Sequence, residues 1–134
     1  MNPAPPFLDS NILIYAYSTD HRSSIAQTIC GRRHTLSVQS LNEFVNVARR
    51  KLRYEWDEIV ERLTAIVDLA EPILPVTFNL HQTAIALAER YRLQVYDGMI
   101  VAAALEAGCD TLYSEDMHHG LVIEDRLAIV NPFV

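Results

Sequence analysis

Short apolar runs alternate along this chain with longer segments whose apolar residues recur at helical spacing. The runs at 6–9 and 111–114 are predicted strands, whereas 39–52 is a predicted helix with Leu41, Phe44 and Val45 on one face. Strands that are joined through helices lie parallel, and a parallel sheet is normally covered by helices on both faces. The alternation therefore predicts one three-layer α/β/α domain over residues 1–134, with a short, mostly parallel central sheet.

The same periodicities predict the remaining elements. The run Met99–Leu105 is almost entirely apolar, which predicts a helix buried between other elements. Pro72 and Pro75 flank a predicted strand at 73–76 and favour an edge position for it. Further strands are predicted at 35–38 and 127–130. A helix through Ala16 is predicted after a cap at Asp9 or Ser10, and further helices are predicted at 21–30, 54–67, 79–91 with Asn79 as its cap, and 97–108.

Two predicted strands end at carboxylates. Asp9 directly follows the first apolar run, and Asp116 follows the run at 111–114. Side chains just past the carboxyl ends of parallel strands line the crevice where ligands bind. Asp9 can also cap the next helix, which is compatible with a role in a site, and Asp116 can be a turn residue. We expect both carboxylates to lie at one crevice.

Two more acids complete a candidate metal site. Asp97 precedes Gly98 at the start of a predicted helix, as its cap or as a site residue, and Glu43 lies at the margin of an apolar helix face, where a solvated position is the alternative. Carboxylates that share a crevice repel each other unless a cation binds them, and Mg²⁺ and Mn²⁺ prefer such oxygen ligands. Ser114 and Asn11 are candidate neutral donors that would orient the carboxylates.

Charge is distributed unevenly along the chain. The net charge of −6 divides into −1 over residues 1–19, +5 over 20–54 and −10 over 55–134. The basic stretch could track a phosphate backbone, although solvated helix ends would give the same pattern. The candidate substrate-binding residues in this stretch are Arg49, Arg50, Lys51 and Arg53.

The sequence lacks the residues that several other types of active site require. Lys51 is the only lysine, so the chain has no Gly-Lys-Ser/Thr phosphate loop and no late lysine for a receiver or haloacid-type phosphatase site. The sequence contains no Gly-x-Ser-x-Gly elbow, and neither cysteine has a nearby histidine to activate it. His118 and His119 are predicted to lie in a polar loop, because no cysteine pair stands at zinc-ligand spacing.

The compartment is predicted to be the cytoplasm. Cys30 and Cys109 are too few for a disulfide framework, which favours a reducing environment. The first six residues lack the charged and apolar regions of a signal peptide. No run reaches the roughly 18 apolar residues that span a bilayer, so no membrane association is expected.

Four segments of the chain resemble the characteristic segments of PIN domains. They are FLDSNILIY at 7–15, SLNEF at 40–44, YDGMIVAAA at 96–104 and LYSEDM at 112–117. Their order and their spread over nearly the whole chain resemble the VapC-type toxin ribonucleases of type II toxin–antitoxin pairs, and the ending at 130–133 also fits. The proline-bearing leader before the first strand is the one departure.

The resemblance implies a Mg²⁺- or Mn²⁺-dependent endoribonuclease. It places Ser114 at the hydroxyl position of the family pattern and leaves Glu115 without a role. It further implies a homodimer and a small antitoxin that covers the active-site groove, with DNA bound only through the antitoxin. The catalytic and metal-binding acids implied by the resemblance are Asp9, Glu43, Asp97 and Asp116.

Two other functions remain compatible with the sequence. One is a non-catalytic RNA- or protein-binding module that keeps the acidic pocket for structure. The other is a metal-dependent DNA nuclease or phosphoesterase. The first predicts no effect of divalent metal on stability and no turnover, and a panel of RNA, DNA and phosphate-ester substrates separates the second from a ribonuclease.

Overall fold

The computed structural model describes residues 2–134 and contains a six-stranded sheet in that range. Its order is β3-β2-β1-β4-β6-β5, and all neighbours pair in parallel except β5 and β6, which are antiparallel. The predicted mostly parallel sheet is therefore confirmed. The strands are β1 (Phe7–Leu8), β2 (His34–Ser37), β3 (Ala70–Leu74), β4 (Thr111–Tyr113), β5 (Val122–Ile123) and β6 (Leu127–Val130).

Six helices connect these strands within the described range. They are α1 (Ser10–Ala16), α2 (Ser23–Cys30), α3 (Val38–Arg50), α4 (Trp56–Asp68), α5 (Phe78–Tyr91) and α6 (Val95–Ala107). Within residues 2–134, none of the helices combines the length and apolar character needed to cross a bilayer.

The two residues of β1 show how the sheet separates two cores. Successive side chains of a strand point to opposite faces. Phe7 accordingly packs in one cluster with α5 and α6, whereas Leu8 packs in the other with α1 and α3. Both faces of the sheet are thus covered by helices, and the predicted three-layer α/β/α architecture is confirmed.

Helix α6 is buried around its whole circumference from Gly98 to Ala104, as the apolar run predicts. It packs closely on α5 at Gly98. A Cβ atom added at this position would lie only 2.6 Å from the carbonyl oxygen of Ala84. The Asp97–Gly98 pair therefore does not form a turn. Glycine at this position allows two helix backbones to approach each other, and this contact fixes the start of α6 beside the sheet.

Three predicted boundaries are wrong, and each has a local reason. Thr77, with extended backbone, caps α5 by accepting a hydrogen bond from the Leu80 N–H at 3.0 Å, so Asn79 lies inside the helix. Helix α6 begins at Val95, two residues before Asp97. Strand β3 spans 70–74 rather than 73–76, although its predicted edge position is confirmed.

Strand β5 was not predicted. It joins β6 through a tight turn in which Glu124 and Asp125 adopt φ angles of 52° and 54°, and the Arg126 N–H donates to the Ile123 oxygen at 3.0 Å. Turns of this kind usually carry Asn or Gly, so Glu-Asp gives no hairpin signal. The other predicted elements are found within two residues of their predicted ends.

Candidate active site

The topology brings the candidate acids to one edge of the sheet. Asp9 directly follows β1, and Asp116 lies three residues beyond β4, the parallel neighbour of β1. Glu43 is in the second turn of α3, which begins directly after β2, and Asp97 is in the first turn of α6. Helix α3 follows β2 and so begins at the carboxyl edge of the sheet, which places Glu43 near Asp9 and Asp116. Helix α6 follows α5 instead of a strand, but Asp97 lines the same cleft as Asp116, so all four residues belong to the same end of the fold.

Asp9 is buried, with 5% of its surface exposed, and it is held by several hydrogen bonds. Its Oδ1 accepts from the Ser10 N–H at 2.7 Å, which makes Asp9 the N-cap of α1. Its Oδ2 accepts from the buried Ser114 hydroxyl at 2.8 Å. Its own N–H donates to the Tyr113 oxygen at 3.0 Å. The side chain of Asp9 therefore both caps α1 and belongs to the acidic site.

Asn11 connects the first and last of the four acids. Its Nδ2 donates to Asp116 Oδ2 at 3.3 Å and approaches Asp9 Oδ2 at 3.5 Å. Its Oδ1 accepts from the Glu115 N–H at 3.3 Å, which ties the loop after β4 to α1. The two neutral residues singled out from the sequence, Asn11 and Ser114, thus both contact acids of the site.

Glu43 contributes a buried oxygen atom that lacks a partner. Among residues 2–134, no donor hydrogen-bonds to its Oε1. Burial, followed by the charges of Asp9, Asp97 and Asp116, raises the pKa of Glu43 from 4.5 to about 7. A buried polar atom without a hydrogen bond is costly and uncommon in folded proteins. Glu43 is therefore not the solvated surface residue that the sequence left as an alternative.

The acids also perturb one another. Burial raises the pKa of Asp9 from 3.8 to about 6, against the lowering effect of the Ser114 hydrogen bond, and the charges of Asp97 and Asp116 raise it further. Burial and the charge of Asp116 raise the pKa of Asp97. Each ionised carboxylate makes ionisation of the others less favourable. A divalent cation bound between them would offset this repulsion.

The acids fit a hard cation by their chemistry without forming a closed set of ligands. Within residues 2–134, no three His, Cys, Asp or Glu side chains lie close enough together to hold an ion between them. Carboxylate oxygens are nevertheless the donors that Mg²⁺ and Mn²⁺ prefer, and the unpartnered Glu43 oxygen is available as one of them. His119 makes a different contact, because its Nδ1 accepts from the Asn131 N–H at 2.9 Å.

An open cleft of about 450 Å³ lies beside the acids. Asp97 and Asp116 are part of its wall, so these two acids face a volume that is large enough for a small ligand. A groove of similar size, about 460 Å³, lies between α1, α2 and α4 but contains none of the four acids. The other residues that line the acidic cleft are Tyr91, Arg92, Leu93, Gln94, Met117, His118 and Leu121.

Glu115 belongs to a separate network. Its Oε2 pairs with Arg22 Nε at 2.8 Å, and its Oε1 accepts from the Tyr15 hydroxyl. The guanidinium of Arg22 also lies 4.7 Å from the centre of the Tyr15 ring. Glu115 therefore fixes the loop before Asp116 against α1 and the start of α2. Tyr15 and Arg22 are both more than 90 residues from Glu115 in the sequence, so no local pattern could assign Glu115 a role.

The four candidate substrate-binding residues of the basic stretch lie at the far end of α3 and just beyond it. Arg49 donates to the Tyr54 oxygen at 3.0 Å, and its guanidinium lies 4.7 Å from the centre of the Trp56 ring, so it supports the local fold. Arg50 is seven residues beyond Glu43 on the helix, roughly 10 Å along the axis. Of these four candidates, Arg50, Lys51 and Arg53 are exposed to solvent.

Arg92 is a cation that the sequence analysis missed. It follows the last residue of α5 and lines the acidic cleft. Nothing in the local pattern distinguishes it from a solvated arginine at a helix end, because its neighbours in the cleft come from α6 and from the loop after β4.

Comparisons with known proteins identify the fold. A family model described as PIN domain matches residues 7–120. A toxin–antitoxin complex from Klebsiella pneumoniae superposes with a TM-score of 0.71 at 19% identity, covering 95% of this chain and 97% of that one. VapC20 of Mycobacterium tuberculosis, described as a Sarcin-Ricin loop cleaving toxin, gives 0.66 at 18% identity, with 82% and 88% covered.

VapBC2 from Rickettsia felis, bound to a DNA fragment from its promoter, gives a TM-score of 0.58 at 17% identity, with 92% and 95% of the two chains covered. No curated protein sequence matches the chain significantly. The chain therefore shares its fold with these structures at less than 20% sequence identity.

Proposed function

The chain belongs to the PIN domain family, and from this premise we propose that it is a Mg²⁺- or Mn²⁺-dependent endoribonuclease, the toxin of a type II toxin–antitoxin pair. The observation that carries the proposal is the buried Glu43 oxygen, which has no hydrogen-bond donor among residues 2–134 and lies among carboxylates that raise its pKa. A divalent cation would satisfy this oxygen and relieve the repulsion between the acids.

Asp9, Glu43, Asp97 and Asp116 are the residues that would hold the cation. When bound, it supplies the Lewis acidity that activates a water and neutralises charge on a phosphodiester. The chain supplies the geometry. Ser114 and the α1 N-terminus fix the buried Asp9, whereas Asn11 sets the position of Asp116 relative to it.

Two of the four acids would meet the substrate. Asp97 and Asp116 line the open cleft, so an extended polynucleotide could reach them from solvent. The exposed side chains of Arg50, Lys51 and Arg53 would add a weaker attraction for the phosphate backbone at the far end of α3. RNA is the proposed substrate because one similar structure is described as cleaving the Sarcin-Ricin loop.

A small protein antitoxin is the proposed partner. Two of the similar structures are described as toxin–antitoxin or VapBC assemblies, one of them bound to promoter DNA. We therefore propose that DNA is bound only through the antitoxin, that the chain forms a homodimer and that it acts in the cytoplasm. The exposed apolar side chains of Trp56, Val60 and Val67 on α4 are consistent with a surface that a protein partner covers.

The test is a substrate panel with a matched pair of variants. Single-stranded RNA, DNA and a chromogenic phosphate ester are each incubated with the protein in Mg²⁺, Mn²⁺ or EDTA. We expect RNA cleavage only with metal, its loss in Asp97→Asn, and full activity in Asp110→Asn. Asp110 is an exposed acid that precedes β4 and so lies at the opposite edge of the sheet.

Each alternative function has its own outcome in this panel. Cleavage of DNA or of the phosphate ester without cleavage of RNA would favour a different phosphoesterase. No turnover together with no metal-induced change in melting temperature would favour a non-catalytic binding module. Cleavage that survives in a highly purified Asp97→Asn protein would contradict the assignment of the site.

A further inference from the structure

Arg92 is a cation in the wall of the acidic cleft that does not pair with the acids beside it. It is exposed and lines the same volume as Asp97 and Asp116. The ion pairs within 4 Å among residues 2–134 do not include it. Arg90, two residues earlier, is by contrast paired with Glu124 at 3.1 Å. The guanidinium of Arg92 is therefore available to a ligand in the cleft.

The backbone of Arg92 adopts a conformation that favours glycine. Its φ and ψ are 57° and 48°, in the left-handed region, and its N–H donates to the Ala88 oxygen to end α5. The Leu93 N–H donates to the same oxygen at 3.0 Å. A residue with a Cβ atom is strained in this region, and such strain is concentrated at functional sites. The fold thus tolerates a side chain at a turn that glycine would form more easily.

We propose that Arg92 binds a phosphate of the RNA backbone next to the one held at the four acids, and so positions the substrate in the cleft. This inference rests on the proposed ribonuclease function. A phosphodiester carries one negative charge and meets two carboxylates in this cleft, so a neighbouring phosphate requires a cation of its own. The planar guanidinium donates two parallel hydrogen bonds to such a group.

The chain contains a matched control for this contact. Arg53 is also an exposed arginine with a positive φ angle, 59°, but it lies beyond the end of α3 and is not among the residues that line the cleft. Arg92→Gly and Arg53→Gly each remove one positive charge and relieve the same kind of backbone strain. A difference between the two variants in RNA binding therefore reports the position of the charge rather than its presence.

The experiment measures binding of a short fluorescein-labelled single-stranded RNA by fluorescence anisotropy across a salt series. Both substitutions are made in an Asp97→Asn background, which is expected not to cleave the RNA. Arg92→Gly should weaken binding about tenfold and reduce the slope of log K against log salt by about 0.7, the value for one lost phosphate contact on a single strand. Arg53→Gly should weaken binding no more than about threefold.

Stability provides the second readout. Arg92→Gly should melt within about 3 °C of its parent or above it, since glycine suits the left-handed turn. Should the glycine variant not fold, Arg92→Asn removes the same charge and also tolerates this backbone. Equal losses of RNA affinity in the Arg92 and Arg53 variants would overturn the contact and leave only diffuse attraction. A parent protein that binds no RNA would overturn the proposed substrate, and the contact with it.

Discussion

Replacing Asp9 by Asn should stabilise the metal-free protein at neutral and higher pH. The pKa of Asp9 in the fold is about 6 against an ordinary value of 3.8, with burial as the main cause. Each pKa unit corresponds to roughly 1.4 kcal/mol, so ionising Asp9 in the fold costs about 3 kcal/mol. An amide has one acceptor oxygen where the carboxylate has two, so the Ser114 hydroxyl would have to accept from the amide N–H instead of donating to it. Allowing about 1 kcal/mol for this exchange leaves a gain of about 2 kcal/mol.

The sign depends on pH in a defined way. Because the pKa is raised in the folded state, the stability penalty of Asp9 is absent below about pH 4. It grows as the pH rises through the folded value of about 6 and is complete above it. Asp9→Asn should therefore slightly lower the stability at pH 4, where only the altered hydrogen bond acts, and raise it by about 2 kcal/mol at pH 8. At pH 8 the gain corresponds to roughly 5–8 °C in melting temperature.

Urea unfolding in EDTA at pH 4, 6 and 8 measures this difference directly. Asp68→Asn is the matched control, because Asp68 is exposed at the end of α4 and the substitution also removes one carboxylate. If Asp9→Asn gives the same change at pH 4 as at pH 8, or lowers stability at pH 8, the burial argument for Asp9 is refuted. A pH-dependent gain of the same size in Asp68→Asn would show that net charge alone is responsible.

Three further predictions follow from single contacts. Mn²⁺ should raise the melting temperature of the wild-type protein in differential scanning fluorimetry. It should raise the melting temperature of Glu43→Gln distinctly less, because the substitution removes the buried carboxylate whose oxygen lacks a hydrogen bond among residues 2–134. Equal shifts in the two proteins would exclude Glu43 as a ligand. Gly98→Ala should lower the free energy of unfolding by about 2 kcal/mol, because the added Cβ would lie 2.6 Å from the Ala84 oxygen, and an unchanged urea midpoint would contradict this close approach. Glu115→Gln should lower the pKa of Tyr15 from about 12, because the carboxylate hydrogen bond and charge contribute to raising it; an unchanged ultraviolet titration of the tyrosines would show that burial alone is responsible.

The general architecture could be predicted from the sequence because it depends on periodicity. Phe7 and Leu8 are both apolar because one faces each core, and a strand buried on both faces gives a continuous apolar run. The positions of Asp9 and Asp116 follow from the same logic, since each ends such a run on neighbouring parallel strands. These predictions required only the order of the elements along the chain.

The unpredicted features depend on contacts between distant residues. Glu115 and Arg22 form an ion pair although they lie 93 residues apart, and no local sequence pattern at either residue indicates the other. The β5–β6 turn uses Glu124 in a left-handed conformation without the usual Asn or Gly. Arg92 acquires its significance only from the cleft that it lines. At Glu124 and Arg92 the backbone also adopts a conformation that the local sequence does not favour.

The four acids differ in burial, and this gradient explains how one site can be both rigid and accessible. Asp9 lies at the closed end, where hydrogen bonds from Ser10 and Ser114 hold its two oxygens. Asp116 lies at the open end, where it is exposed and where, among residues 2–134, Asn11 alone hydrogen-bonds to its carboxylate. A carboxylate held at both oxygens defines where a cation would bind, and one held by a single hydrogen bond can adjust as a substrate phosphate approaches. The energetic cost of the arrangement is carried mainly by the buried end, which is why removing the charge of Asp9 should increase stability.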